Sequence, residues 1–181
     1  MRRPLGLKMP ASGRLISLDV VDGRDALPAA KKLLKSSSAE TGISIWDASS
    51  IFFEMNGLEV SDRPSPRTIV LLYAADLFFR LRWEIIPALE EGKSVVAAPY
   101  VETGLAFGAV AGLPVKWMTE VFRFAPKAAE GFRLNRAFSA KLAAPAAGFV
   151  EFCSSTLNQD LRPKFVSYFD DLERRGGCRS V

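Results

Sequence analysis

Arg14-Leu-Ile-Ser-Leu-Asp-Val-Val21 is the stretch that decides the fold, because a turn and a helix-forming run follow it directly. The stretch is short, apolar and rich in β-branched residues, which is typical of a buried strand. Asp22-Gly23 marks a turn, and Pro28 stands where a helix begins, ahead of the helix-forming run 29–35. The opening of the chain is therefore predicted to be strand, turn and helix.

The rest of the chain continues this alternation of short apolar runs and longer helical segments. We predict further strands at 43–46, 94–98 and 149–153, and helices at 67–91, 102–110, 115–129 and 158–175. The stretch 133–147 fits either a short helix or a strand with a turn. The alternation predicts an α/β domain with a mostly parallel sheet and helices on both faces. Ligands of such sheets bind at the carboxyl ends of the strands, so the expected site segments are 21–27, 46–50 and 98–107.

The length and composition of the chain predict one globular domain. For its 181 residues we expect a disordered leader at 1–13, a single domain at 14–175 and a flexible tail at 176–181. The net charge of +4 is too small to indicate a nucleic-acid partner. No apolar run reaches the length of a membrane span, so we expect a cytoplasmic protein with no membrane partner.

The residue types that are missing exclude several kinds of chemistry. The chain has no histidine, which excludes Ser-His-Asp and Cys-His catalysis and any zinc site built on histidine. Its two cysteines, Cys153 and Cys178, make no disulfide framework, and whether they pair is left open. We expect no metal site.

The turn after the first strand is compared with the phosphate-binding loop Gly-x-x-x-x-Gly-Lys-Ser/Thr. In the equivalent window, 20–27, Val20 and Asp25 stand at the glycine positions. Ala26 stands at the lysine position and Leu27 at the position of the magnesium-binding hydroxyl. Taken alone, this window predicts an ordinary turn between a strand and a helix.

Four blocks in a fixed order give the chain a longer resemblance. They are Leu18-Asp-Val-Val-Asp-Gly23, Leu71-Leu-Tyr-Ala-Ala-Asp-Leu77, Val95-Val-Ala-Ala-Pro-Tyr100 and Thr103-Gly-Leu-Ala-Phe107. With these blocks, over about residues 15–129, the chain resembles the thymidylate kinases, nucleoside monophosphate kinases of the P-loop class. The resemblance implies a three-layer P-loop NTPase-like domain, with a lid region that is shortened or absent here.

The resemblance also implies candidate nucleotide-binding residues. Asp22 falls where the family's P-loop carboxylate meets the sugar hydroxyl, Tyr73 where an aromatic ring stacks on the base, and Phe107 on a second wall of the base pocket. The full candidate set comprises Asp22, Gly23, Arg24, Tyr73, Asp76, Tyr100, Thr103 and Phe107. The alternative interpretation makes Asp22 a turn residue and the two aromatic residues part of the core.

Departures from the family pattern remove its phosphate chemistry. Leu77 replaces an arginine that contacts the monophosphate, Ala98-Pro99 replaces an Asp-Arg pair, and Trp46 stands where a strand-end arginine is usual. Between 129 and 149 there is too little chain for a strand, a lid and its helices. Without these groups we expect no catalytic residues, no cofactor and a non-catalytic protein that acts by binding or assembly.

Two other functional readings remain open. One is a nucleoside- or nucleotide-binding protein, or a dTMP-kinase-like enzyme with an atypical site, and only this reading requires ATP and magnesium. The other is that the resemblance is accidental and the chain is a different α/β domain.

The long helix at 67–91 indicates how the protein assembles. Its apolar residues cover more than one stripe, which is typical of a helix that is buried or lies in an interface. Members of the family pair through this helix, so the resemblance implies a homodimer.

Overall fold

A computed structural model of the chain describes residues 13–19, 26–35, 41–45, 62–134 and 149–181. Five strands within these ranges form one sheet in the order β2-β3-β1-β4-β5, and every pairing is parallel. The strands are β1 (Arg14–Asp19), β2 (Thr41–Ile45), β3 (Ser94–Ala98), β4 (Glu130–Arg133) and β5 (Arg179–Ser180). The predicted strands at 14–21, 43–46 and 94–98 are confirmed over their described residues.

Helices cover both faces of the sheet. They are α1 (Ala26–Leu34), α2 (Pro66–Arg80), α3 (Ile86–Glu90), α4 (Val101–Val110), α5 (Val115–Val121), α6 (Phe149–Thr156) and α7 (Arg162–Arg174). Helix α1 packs on one face against Ile16 and Leu18 of β1. On the other face, α2, α4, α6 and α7 form a larger core with Leu15. The predicted α/β layering is confirmed, and in the described ranges no helix has the length and apolarity needed to cross a membrane.

The long helix predicted at 67–91 runs from Pro66 to Glu90 with one irregular turn. Ser65 caps its start by accepting a hydrogen bond from the backbone N–H of Thr68 at 3.2 Å. A π turn, Leu81–Ile85, joins α2 to α3, and the Ile86 N–H bonds the carbonyl of Leu81, five residues back. Pro87 explains the turn, because its ring has no N–H and crowds the carbonyl four residues earlier. The helix ends before Gly92, whose φ of +82° favours glycine.

Two predicted elements in the second half of the chain are wrong. Residues 149–153, predicted as a strand, belong to helix α6. Phe149, Val150, Phe152 and Cys153 are all buried, at the i, i+1, i+3, i+4 spacing of one helix face. The helix predicted at 115–129 ends at Val121, and the chain after it leads into β4, which the sequence did not identify.

Strand β5 forms an edge of the sheet within the segment 176–181, which was expected to be a flexible tail. β5 pairs with β4, and the N–H of Val181 donates to the carbonyl of Arg133 at 2.9 Å. Cys178, just before β5, is buried. No disulfide joins Cys153 to Cys178 in the structure. Backbone pairing with β4 therefore orders a segment whose composition alone suggested a tail.

Replacement of Gly104 by alanine is expected to destabilise the fold. A Cβ at this position in α4 would overlap the ring of Phe122 and lie 3.0 Å from Cε1 of Tyr73. Overpacking of this kind costs about 1–3 kcal/mol, against a gain of about 1 kcal/mol in helix propensity. We expect Gly104→Ala to lower the free energy of unfolding by up to about 2 kcal/mol in urea titrations.

Gly42→Ala is the matched control for this substitution. A Cβ at Gly42, in β2, would meet its nearest neighbour, Cγ2 of Val95, at an ordinary 3.5 Å. The control should leave stability unchanged or slightly raised, because alanine restricts the unfolded chain more than glycine does. Equal stability of the two variants would contradict tight packing of Phe122 and Tyr73 against Gly104.

Candidate functional site

The candidate site lies where β1 and β3 end side by side. Ser17 pairs with Ala97, so Asp19 and the residues after Ala98 share the carboxyl edge of the sheet. Of the predicted site segments, 98–107 lies within the described residues. Asp22, Gly23 and Arg24 lie outside them, as does 46–50 with Trp46, and the roles predicted for those residues stay predictions.

Asp19, the last residue of β1, organises this edge. One carboxylate oxygen, Oδ1, accepts hydrogen bonds from the backbone N–H groups of Tyr100 (3.1 Å) and Thr103 (3.0 Å) and from the hydroxyl of Thr103 (2.7 Å). Tyr100 is the N-cap residue of α4, and its own side chain caps nothing. Asp19 therefore caps α4 from a neighbouring strand, and it satisfies N–H groups that every helix start leaves free.

The cost of this arrangement is a buried carboxylate. Burial raises the pKa of Asp19 from 3.8 to about 6, even though the hydrogen bonds from Thr103 and Tyr100 lower it. The nearby carboxylate of Glu102 adds to the rise. Sequence analysis did not select Asp19, although a carboxylate that closes an otherwise apolar strand was a signal that could have found it.

The two aromatic candidates lie inside the core. Tyr73 and Phe107 have no exposed surface, and both contact Phe149 of α6, with ring centroids 4.4 Å and 5.7 Å apart. The hydroxyl of Tyr73 donates to the carbonyl of Tyr100 at 2.6 Å. Burial raises the pKa of the Tyr73 hydroxyl well above its usual value. Phe149 therefore packs against both rings that were predicted to face a base.

Tyr100 and Thr103 are also directed inwards. The hydroxyl of Tyr100 donates to the carbonyl of Pro126 at 2.6 Å, and the ring is 3% exposed. Burial raises the pKa of this hydroxyl above its ordinary value as well. Thr103 is fully buried and bonded to Asp19. The described candidates thus form one connected cluster, but their polar groups bond to the protein itself.

Asp76 forms an ion pair with Arg80, a residue that the sequence analysis did not select. Nε of Arg80 donates to Oδ2 of Asp76 at 2.9 Å, one helical turn away, and NH2 donates to the carbonyl of Pro99 at 3.0 Å. The Arg80 residue is 5% exposed, and NH1 is buried with no partner in the structure. A guanidinium therefore reaches the end of β3 from α2, but it bonds to a backbone carbonyl of the protein.

Positions that depart from the family pattern hold buried apolar side chains. Leu77 and Ala98 have no exposed surface, and Pro99 is buried beside them. The cation at the end of β4, Arg133, forms ion pairs with Asp170 and Glu173 of α7. At the described part of this edge, both arginines are therefore engaged by groups of the chain.

The described residues offer no metal centre. Within 13–19, 26–35, 41–45, 62–134 and 149–181, no three Cys, Asp or Glu side chains lie close enough together to hold an ion. The expectation of no metal and no cofactor stays a prediction, because Asp22 and Asp25 fall outside these ranges.

Comparisons with known proteins relate the chain to one class of kinase. A protein of Pyrococcus abyssi named probable thymidylate kinase is 35% identical over 72 residues, which is 40% of this chain and 35% of the relative. A probable thymidylate kinase of Caldivirga maquilingensis is 32% identical over 71 residues, 39% of this chain and 35% of the relative. The chain thus matches about a third of the length of these relatives. No protein-family model matches it.

Among solved structures, the thymidylate kinase of Candida albicans has a similar fold. It superposes with a TM-score of 0.60 at 15% sequence identity, covering 94% of this chain and 83% of that chain. The predicted resemblance is confirmed: the chain is similar to thymidylate kinases in sequence over part of its length, and its α/β fold matches the P-loop type of those kinases.

Removing the charge of Asp19 is expected to change how stability depends on pH. The folded-state pKa of about 6 exceeds the ordinary aspartate pKa of 3.8, so the folded protein holds this proton at pH values where the unfolded chain has lost it. Stability from this group is full below about pH 4 and falls as pH rises to about 6, by about 3 kcal/mol in all. Asp19→Asn keeps an acceptor but cannot ionise.

The measurement is urea unfolding of wild type and Asp19→Asn between pH 4 and pH 7. Wild type should lose stability relative to the variant as pH rises across this window. Asp19→Ala, which removes the acceptor, should be less stable than Asp19→Asn at every pH, because it leaves buried N–H groups unpaired at about 1–3 kcal/mol. Parallel profiles for wild type and Asp19→Asn would contradict a buried, ionisable cap.

Proposed function

We propose that this thymidylate-kinase-like chain does not transfer phosphoryl groups and acts by binding or assembly, as a homodimer. The observation that carries the proposal concerns the residues at the carboxyl end of β3. Ala98 and Pro99 are buried there, where the family pattern has an Asp-Arg pair, and the guanidinium of Arg80 bonds to the Pro99 carbonyl.

The energetic argument concerns positive charge. Phosphoryl transfer depends on positioning and on cations around the transferred group, and one arginine can be worth about 10³–10⁵ in rate. The window 20–27 has no lysine at the P-loop position and Leu27 in place of the magnesium-binding hydroxyl. Leu77 stands at the position of a phosphate-contacting arginine. The degenerate Walker A motif and the loss of phosphate-contacting arginines at the sheet edge together support the proposal that the protein is a pseudoenzyme.

The interior position of the aromatic candidates supports the same proposal. A base could stack on Tyr73 or Phe107 only if Phe149 left its place against both rings. Moving a large aromatic side chain out of a core costs about 3–5 kcal/mol, judged by truncation of such residues. The alternative, a nucleotide-binding protein or an atypical dTMP kinase, therefore requires a rearrangement of the core.

The outer face of α2 and the π turn supports assembly. Leu71, Phe78, Phe79 and Trp83 are 52%, 38%, 61% and 70% exposed. They lie on the side of the helix opposite to the buried Ile69, Val70 and Leu77. A contiguous aromatic patch of this kind marks an interaction surface. We propose that a second copy of the chain covers it, since a single helix face can pair with itself across a twofold axis.

A cytoplasmic location is part of the proposal. Cys153 and Cys178 form no disulfide with each other, and thiols persist in reducing compartments.

A coupled assay with dTMP, ATP and magnesium is expected to show no turnover above background. An active thymidylate kinase in the same assay is the positive control. Thermal-shift measurements with thymidine, dTMP and ATP are expected to show no stabilisation, since a ligand raises the melting temperature only if it binds the folded state. Turnover at ordinary kinase rates would overturn the proposal. Stabilisation without turnover would favour the nucleotide-binding alternative.

The double variant Phe79→Glu/Trp83→Glu is expected to be monomeric. Both side chains are largely exposed, so charges there should leave the fold intact and oppose association by desolvation. Light scattering at micromolar concentration should give twice the chain mass of 19.8 kDa for wild type and the single mass for the variant. Val115→Glu, at a position that is 78% exposed on α5, should remain dimeric. A monomeric wild type would refute the dimer.

A further inference from the structure

A pocket of about 240 Å³ lies on the α4 face of the sheet, next to the cluster around Asp19, with which it shares Tyr100. Ser17 and Gly131 form its floor on the adjacent strands β1 and β4. Its walls come from the start of α4 and from residues 125–128, which lead into β4. Ala129 bonds the carbonyl of Leu15, so this wall lies toward the amino edge of the sheet. We call it the Glu102 pocket.

The floor of the Glu102 pocket holds a hydroxyl with a weak partner. Ser17 is 5% exposed, and its Oγ lies 3.5 Å from the carbonyl oxygen of Glu130. Hydroxyl hydrogen bonds are normally 2.5–3.0 Å long, and buried polar groups normally have a good partner. The Ser17 hydroxyl is therefore free to bond to a molecule in the pocket.

The wall of the Glu102 pocket holds a carboxylate without a cation. Glu102 is half-buried and accepts a hydrogen bond from the hydroxyl of Tyr168 at 3.0 Å. It forms no ion pair within the described ranges, and burial raises its pKa. Lys127, also at the pocket, is exposed to solvent. A desolvated carboxylate that lacks a cation is stabilised by any positive group brought to it.

We propose that the Glu102 pocket binds a small organic ammonium compound, whose charged nitrogen pairs with Glu102 and whose carbon chain packs against Phe122 and Pro126. The volume is below the range of about 300–1,000 Å³ typical of pockets for drug-sized ligands, which limits the ligand to a few carbons. The proposal does not depend on the function proposed above, because that function rests on the absence of phosphate-binding groups, whereas this site rests on the carboxylate of Glu102.

Amide NMR titrations with three compounds of similar shape test the proposal. They are n-butylamine, n-butanol and butanoate. Butylamine should shift the amide signals of Gly131 and Gly177, which line the pocket, in a saturable way. The alcohol and the acid should bind at least tenfold more weakly, because only the ammonium pairs with the carboxylate. Equal effects of the three compounds, or no saturable shift at these glycines with butylamine, would overturn the proposal.

Substitutions locate the interaction. Glu102→Gln keeps the shape of the side chain and should weaken butylamine binding about tenfold or more, whereas Glu120→Gln, on the exposed side of α5, should leave it unchanged. Lys127→Gln should strengthen binding slightly by removing a like charge. If Glu102→Gln does not fold, Ala125→Leu narrows the pocket from its wall and should abolish binding. Unchanged affinity in Glu102→Gln, or in Ala125→Leu, would refute the site.

Discussion

The hydrogen bonds from α4 to Asp19 fix how the helical layer sits on the sheet. A single carboxylate oxygen at the end of β1 holds two backbone N–H groups and a hydroxyl at the start of α4. A negative charge is favourable at a helix N-terminus, and the free N–H groups there would otherwise be buried without partners. Helix α4 in turn packs against Tyr73 of α2 at Gly104, so the position of both helices depends on this cap.

At the same edge, three polar side chains donate hydrogen bonds to backbone carbonyls of the protein. The hydroxyls of Tyr73 and Tyr100 and the guanidinium of Arg80 all donate to backbone carbonyls, those of Tyr100, Pro126 and Pro99. Each of these bonds satisfies a group that would be costly to bury alone. A ligand at this edge would have to replace these hydrogen bonds with contacts of its own.

Two buried or half-buried charged side chains, Arg80 and Glu102, differ in whether the protein supplies an opposite charge. Arg80 has a carboxylate and a carbonyl as partners, and only one of its nitrogens lacks a hydrogen bond. Glu102 has a tyrosine hydroxyl and no cation among the described residues, and it faces a pocket. The charge of Arg80 is paired within the protein. The carboxylate of Glu102 has no cation among the described residues, so a positive group brought to it would stabilise its charged form.

The sequence by itself determined the α/β class, the strand at 94–98 and the long helix predicted at 67–91, because hydrophobic periodicity acts over a few neighbouring positions. It also located the candidates Tyr73, Thr103 and Phe107 in one cluster through the order of the motif blocks. Only the tertiary structure decided that α6 is a helix, since an apolar run as short as 149–153 fits both the helical and the strand periodicity. Only the tertiary structure placed Asp19 under α4, 84 residues away along the chain, and Arg80 against Pro99. Such contacts depend on how separate elements pack, which no local pattern encodes.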